Sequence, residues 1–238
     1  MRATGLSFSA EVPGLLRGSV AQGRAAIEES DTRRWWFYLA VILGGAGLFG
    51  AAVGSWRDPL QALYTAVKLP LILLATSLGN GLLNAMLAPL LGVQLNLRQT
   101  LLAVLMSFTI AAAILGAFSP LIAFLIWNTP ALVAGAQTNA SAHSLVLLCE
   151  TTVIAFAGVA ANVRLLQLLR ELAGSAIAAR KVLFAWLAGN LLLGSQLAWI
   201  MRPFVGSPGL PVQFLRANPF EGSFYESLFR AFKHLFFP

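Results

Sequence analysis

Five long apolar stretches, separated by short polar segments, set the pattern of this 238-residue chain. An α-helix rises 1.5 Å per residue, so about 20 apolar residues carry a chain across roughly 30 Å of hydrocarbon. The stretches predict spans at Trp35–Trp56, Leu60–Leu91, Thr100–Trp127, Ser144–Leu166 and Val182–Met201. The second exceeds one straight crossing. Its Pro70, Gly79, Gly81 and Pro89 predict a kink or a partial break. Residues 1–34 are polar, and 13–29 read as a weak amphipathic helix loosened by Gly18 and Gly23. Residues 128–143 read as a polar, uncharged loop, and 167–181 as a short basic segment with helical tendency.

The tail from Arg202 has two parts. Pro203, Pro208, Pro211 and Pro219 favour extended chain, while Ser223-Phe-Tyr-Glu226 matches a capping box that opens a helix. Phe224, Leu228, Phe232 and Leu235 then share one face, and Glu226 and Arg230 stand at i,i+4 in the favourable order. Such a helix is expected to lie in the membrane interface, or alternatively to dock on a partner. The expected fold is an all-α polytopic bundle of about five transmembrane helices. It divides into a polar N-terminal segment (1–34), a five-span domain (35–201), and a Pro-rich tail ending in an interfacial amphipathic helix (202–238).

Composition agrees with lipid as the solvent. Apolar residues make up 58% of the chain and charged residues 11%, against about 25% charged in soluble domains. The net charge of +7 comes from basic residues beside the spans, with no dense run of the kind that attracts nucleic acid. Trp35, Trp36 and Trp56 fall at the two ends of the first span, where aromatic belts sit. The first apolar run starts only at Trp35, so the first span is expected to remain as an anchor. Arg2, Arg17, Arg24, Arg33, Arg34, Arg98, Arg164, Arg170, Arg180 and Lys181 occupy alternate connecting segments, against Arg57 in the others. The positive-inside bias predicts an inner N-terminus and an outer C-terminus, opposed mildly by Arg202, Arg216, Arg230 and Lys233. The Arg bias with abundant Ala, Leu and Gly suggests a GC-rich bacterial genome, and the expected location is the bacterial cytoplasmic (inner) membrane.

Polar groups inside the spans carry the candidate chemistry, because hydrocarbon offers them no hydrogen bonds. Lys68 and Glu150 both enter from the same predicted side, each on the order of 10 Å deep at the helical rise, so they could pair. Gln196 and Ser119 fall in the same layer, and Asn80, Asn84, Asn162 and Asn190 in an inner one. Glu150, Ala157, Gly158, Ala161 and Asn162 lie along one helical stripe of small and polar residues, expected to face other helices. Gly50 and Gly54 form a small-xxx-small pair in the first span, with the same expectation. A pair of Lys68 and Glu150 would serve either to fix the helices or to conduct protons or ions, and the absence of a convincing internal repeat weighs against a dedicated carrier.

Catalytic signals are sparse. His143 and His234 are expected outside the spans. His143 stands about two turns from Glu150, so an acid–base pair competes there with a plain interfacial histidine. The chain has no nucleophile elbow, no phosphate-cradling glycine loop and no zinc-ligand spacing, so neither a cofactor nor a metal is expected. Its single cysteine, Cys149, reads as a small buried hydrophobe. Asn139-Ala-Ser141 matches a glycosylation sequon that has no meaning in a typical bacterium.

Leu63-Tyr-Thr-Ala-Val-Lys-Leu-Pro-Leu-Ile-Leu-Leu-Ala-Thr, continuing to Pro89-Leu-Leu-Gly92, places Lys-x-Pro at the start of a long second span. With five spans, an inner N-terminus and a short outer tail, this resembles the Yip family of small multispanning membrane proteins, linked in eukaryotes to Rab GTPases and vesicle traffic. The resemblance covers about 140 residues, mostly as architecture, and the N-terminal segment lacks a feature assignable to GTPase binding. It implies an adaptor or scaffold. Arg202-Pro-Phe-Val-Gly-Ser-Pro-Gly, followed by Phe214-Leu-Arg216, also resembles the tails of uncharacterised bacterial membrane proteins. The sequence thus favours a non-enzymatic membrane scaffold or accessory subunit. It would act through helix packing with other membrane proteins or with itself. A small-solute or proton/ion transporter or channel using Lys68 and Glu150 is the alternative.

Overall fold

A computed structural model describes residues 32–130, 139–206 and 211–226, together with Gly14, Arg24 and Ile27. Within these residues the chain is all-helical, with five long helices: α1 (Thr32–Gly54), α2 (Pro59–Leu90), α3 (Leu97–Trp127), α4 (Asn139–Ala173) and α5 (Ala176–Met201). All five are long and apolar enough to cross a membrane. The chain is therefore an integral membrane protein whose outer faces are suited to lipid. Most of the segment 13–29, the loop residues 131–138 and the tail beyond Glu226 lie outside the described residues.

The helix boundaries follow local chemistry. Asp58 caps α2, its carboxylate accepting from the Leu60 N–H at 2.7 Å, with Pro59 in the first turn where a missing N–H costs nothing. Asn96 and Gln99 form a reciprocal capping box at the start of α3. α3 accordingly begins at Leu97, three residues before the expected Thr100. Gly174, at φ +60°, ends α4, and Ser175 caps α5 by accepting from the Ala178 N–H. One expectation is corrected here: α4 starts at Asn139, inside the expected loop 128–143, and continues to Ala173, beyond its apolar part. α2 is one continuous helix through Pro70 and Pro89, so of the two forms expected there the partial break does not occur. The Ala66 carbonyl, the i−4 acceptor that Pro70 leaves without its helical donor, lies against Gly47 of α1, where a Cβ would stand 3.4 Å from that oxygen. The neighbouring helix thus covers the freed carbonyl.

α1 packs on α2 and α3, α3 on α4, and α5 on α2 and α4, with α2 and α3 also in contact. The α1 contacts depend on missing side chains. A Cβ on Gly50 would collide with the Thr65 carbonyl. One on Gly54 would stand 2.5 Å from the Gln61 carbonyl, and one on Gly116 of α3 would stand 2.8 Å from the Gly45 Cα. Gly50 and Gly54 therefore stand at a helix–helix contact. Two apolar clusters fill the interior. One surrounds Tyr38, Ile42, Leu102, Leu165 and Trp186, and the other Phe49, Val53, Ile122, Val146 and Val205. Gly44, in contrast, has no atom within 4 Å of an added Cβ.

Gly54→Leu should lower the detergent melting temperature sharply, by the equivalent of about 3 kcal/mol or more for an overpacked backbone contact. Gly44→Leu should leave it nearly unchanged. Parallel thermal denaturation of the two variants checks the difference.

Candidate functional site

The second helix carries a polar stripe of Gln61, Thr65 and Lys68, at the i, i+4, i+7 spacing that places side chains on one face. All three residues are fully buried. Their partner is the tail that follows α5. The Lys68 ammonium donates to the Pro203 carbonyl at 2.7 Å. The Gln61 Nε2 donates to the Pro203 and Phe204 carbonyls at 3.0 and 2.8 Å. Thr65 Oγ1 lies 2.8 Å from the Phe204 carbonyl and 2.9 Å from the Gln61 carbonyl, so its single proton serves one of them at a time. Three aromatic rings flank the ammonium, with centroids at 5.9 Å (Tyr64), 5.8 Å (Phe204) and 5.1 Å (Phe214). Tyr64 and Phe214 meet edge to face at 5.3 Å.

The physical problem is the buried cation. Removing an ammonium from water costs several kcal/mol even after relaxation. A charge-assisted hydrogen bond returns about 1.5–3 kcal/mol, and a desolvated cation–π contact up to about 2 kcal/mol. One hydrogen bond alone would fall short, and the aromatic cage supplies the rest. Proline in the tail makes this arrangement available. Pro203 does not continue α5, and neither it nor Phe204 belongs to a helix, so their carbonyls are free to accept. The result is a clamp that folds the tail over the bundle instead of letting Lys68 reach outward to solvent.

The expected meeting of Lys68 with Glu150 does not occur. Lys68 is committed to Pro203, and neither residue forms an ion pair among the described residues. Glu150 is buried on α4, and its Oε2 has no hydrogen-bond partner among the described residues. Gln196 is half-buried and makes no hydrogen bond among the described residues. Ser119 bonds within its own helix, to the Leu115 carbonyl at 3.2 Å. His143 falls in the first turns of α4, but its side chain, like His234, lies outside the described residues.

In the inner layer three of the four asparagines come together. Asn84 Nδ2 donates to the Asn80 side-chain oxygen at 2.7 Å, and Asn80 Nδ2 donates to Asn190 Oδ1 at 2.7 Å. Gly189 makes room for this chain, since a Cβ there would collide with the Asn80 carboxamide. Asn162 stays apart, donating to the Gly158 carbonyl at 2.8 Å, and its Oδ1 has no partner among the described residues.

Asn162 and Asn190 line a cavity of about 630 Å³ bounded by α2, α3, α4 and α5. Val159 and Leu191, both exposed, also line it and mark an opening between α4 and α5. Thr76, Ala157, Gly158 and Ala161 contribute to its wall. Ala157 and Ala161 are buried, as expected of a packing stripe. Gly158 departs from that expectation, because an added Cβ meets nothing within 4 Å. Its lack of a side chain shapes the cavity and permits no close helix contact within this chain. Thr76 is buried in the same wall, and its Oγ1 has no hydrogen-bond partner among the described residues.

The Gln61–Thr65–Lys68 clamp is the principal feature missed by reading the sequence alone. A signal was present: a polar residue on each turn of one α2 face, together with a proline-containing tail whose carbonyls cannot all be satisfied locally. The Asn96-x-x-Gln99 cap was likewise visible as a motif. Comparison with known proteins finds no matching family model, no matching curated protein and no matching solved structure.

Lys68→Met keeps the apolar stem and removes the donor. It should free the tail, raising amide exchange at Phe204–Gly206 about tenfold or more, as expected for loss of a charged hydrogen bond. Hydrogen exchange with mass spectrometry on the chain in lipid nanodiscs reads this directly.

Proposed function

We propose that the chain is a non-enzymatic membrane scaffold or accessory subunit that receives a transmembrane helix of another membrane protein, or of a second copy, at the opening between α4 and α5. The cavity there carries the reading. Gly158 in its wall has nothing within 4 Å of an added Cβ, which leaves room for close backbone approach, and Val159 and Leu191 at its mouth are exposed. A helix crossing beside Gly158 fills the volume with backbone as well as side-chain contacts. The far smaller buried share of α4 and α5 (22% and 17%) than of α3 (56%) supports the same side as the open one. The architectural resemblance to the Yip family fits an adaptor of this kind.

The transporter reading rested on a Lys68/Glu150 pair. Lys68 is engaged by the tail, so that reading has lost the counter-charge on which it depended.

Gly158→Leu separates assembly from folding. The side chain enters open space, so the isolated chain should melt within about 2 °C of wild type, the range of a mild surface change. The same variant should lose its stoichiometric partner, or its defined oligomer, on purification in mild detergent. Leu148→Ala, at a site 66% exposed, should retain it. A wild-type chain that purifies as an inert monomer from its native membrane would refute the proposal.

A further inference from the structure

A second pocket, of about 300 Å³, lies where the α1–α2 turn meets the tail, a size at the lower end of small-ligand sites (roughly 300–1,000 Å³). Arg57 from the turn, Arg216 and Gln213 from the tail, and Gln61, Pro203 and Gly206 line it. The two arginines are far apart in sequence, and the tail clamp brings them to one site. Gly206, at φ +84°, is part of the construction. A Cβ there would stand 3.0 Å from the Arg57 Cγ, so the glycine gives the arginine stem its place beneath the tail.

Two guanidiniums line the pocket. Arg216 is exposed and makes no hydrogen bond or ion pair with a described residue. A third guanidinium, Arg202, stands close enough to respond to it: burial lowers the proton affinity of Arg202, Arg216 lowers it further, and Glu221 opposes both. Carboxylates stand near as well: Asp58 caps α2 at the Leu60 N–H, and Glu221 accepts from Asn218 Nδ2 at 3.0 Å. Trp56, whose indole N–H donates to the Pro130 carbonyl, holds the same face to the α3–α4 connection.

We propose that this pocket binds the oxyanion of a phosphate ester, held between the guanidiniums of Arg57 and Arg216. Guanidinium recognises this group through paired N–H···O bonds. Its position at the ends of the spans suits either the phosphodiester of a lipid headgroup or a soluble phosphate ester. The site is separate from the α4–α5 opening and does not depend on it.

The test uses the full chain in neutral detergent, titrated in turn with phosphatidylglycerol, with diacylglycerol of the same acyl chains, and with inorganic phosphate. Native mass spectrometry counts bound molecules, and thermal denaturation reports stabilisation. Saturable binding of phosphatidylglycerol but not diacylglycerol, weakened about tenfold or more by Arg216→Gln, supports the proposal and assigns a lipid headgroup. The same Arg216-dependent response to inorganic phosphate supports it and assigns a soluble ester. Arg180→Gln, at the opposite ends of the spans, should bind as wild type. Arg216 is exposed, so its variant should melt as the parent does. Arg216→Glu should weaken binding further, which keeps the result separate from any fold defect. Equal binding of phosphatidylglycerol and diacylglycerol, no binding of either phosphate probe, or equal affinity in wild type and Arg216→Gln would overturn the proposal.

Discussion

The hydrogen bond from the Lys68 ammonium to the Pro203 carbonyl is the contact on which the arrangement of this chain turns. An ammonium roughly 14 Å along α2 from Pro59, by the helical rise, is too deep for solvent to be its ordinary partner. Hydrocarbon supplies none. The tail resolves the conflict from the other side, because its prolines leave backbone carbonyls unused by any helix. Thr65 and Gln61 extend the same logic one and two turns nearer the surface, and Tyr64, Phe204 and Phe214 enclose the charge. Joining α2 to the chain after α5 ties the first half of the bundle to its last helix. It also brings Arg216 to Arg57.

The helices around this clamp divide into two kinds. α1, α2 and α3 approach through glycine, at Gly45, Gly50, Gly54 and Gly116, so closely that any side chain would strike the neighbouring backbone. Without a hydrophobic driving force between helices in lipid, such dispersion contacts are what hold a core together. α4 and α5 enclose an opening in which Gly158 has nothing within 4 Å of an added Cβ, while Ala157 and Ala161 beside it are buried in the core.

Much of the fold was legible in the sequence, since the number of spans follows from hydrophobic length alone. Gly50 and Gly54 were legible for a similar reason: glycine at i,i+4 has few other purposes in a transmembrane helix. The ends of α3 and α4 were less so. Polar caps extend helices past their apolar parts, and hydropathy does not register a cap. Lys68 and Glu150 show the limit more clearly. Equal depth made them candidates for a pair, yet depth leaves the rotation of each helix undetermined. The sequence also gave no warning that a carbonyl of the tail would outcompete a carboxylate. Gly158 shows a similar ambiguity, because a small residue on a polar stripe can mark either a contact or a space, and only the position of the neighbouring helices decides which.

The most direct test of this account is the dipolar coupling between 15N at Lys68 Nζ and the 13C-labelled carbonyl of Pro203, measured by solid-state NMR on the chain in lipid bilayers. The account predicts a strong coupling, consistent with an ammonium 2.7 Å from the carbonyl oxygen, and none to a labelled Glu150 carboxyl. A coupling to Glu150 with none to Pro203 would contradict it.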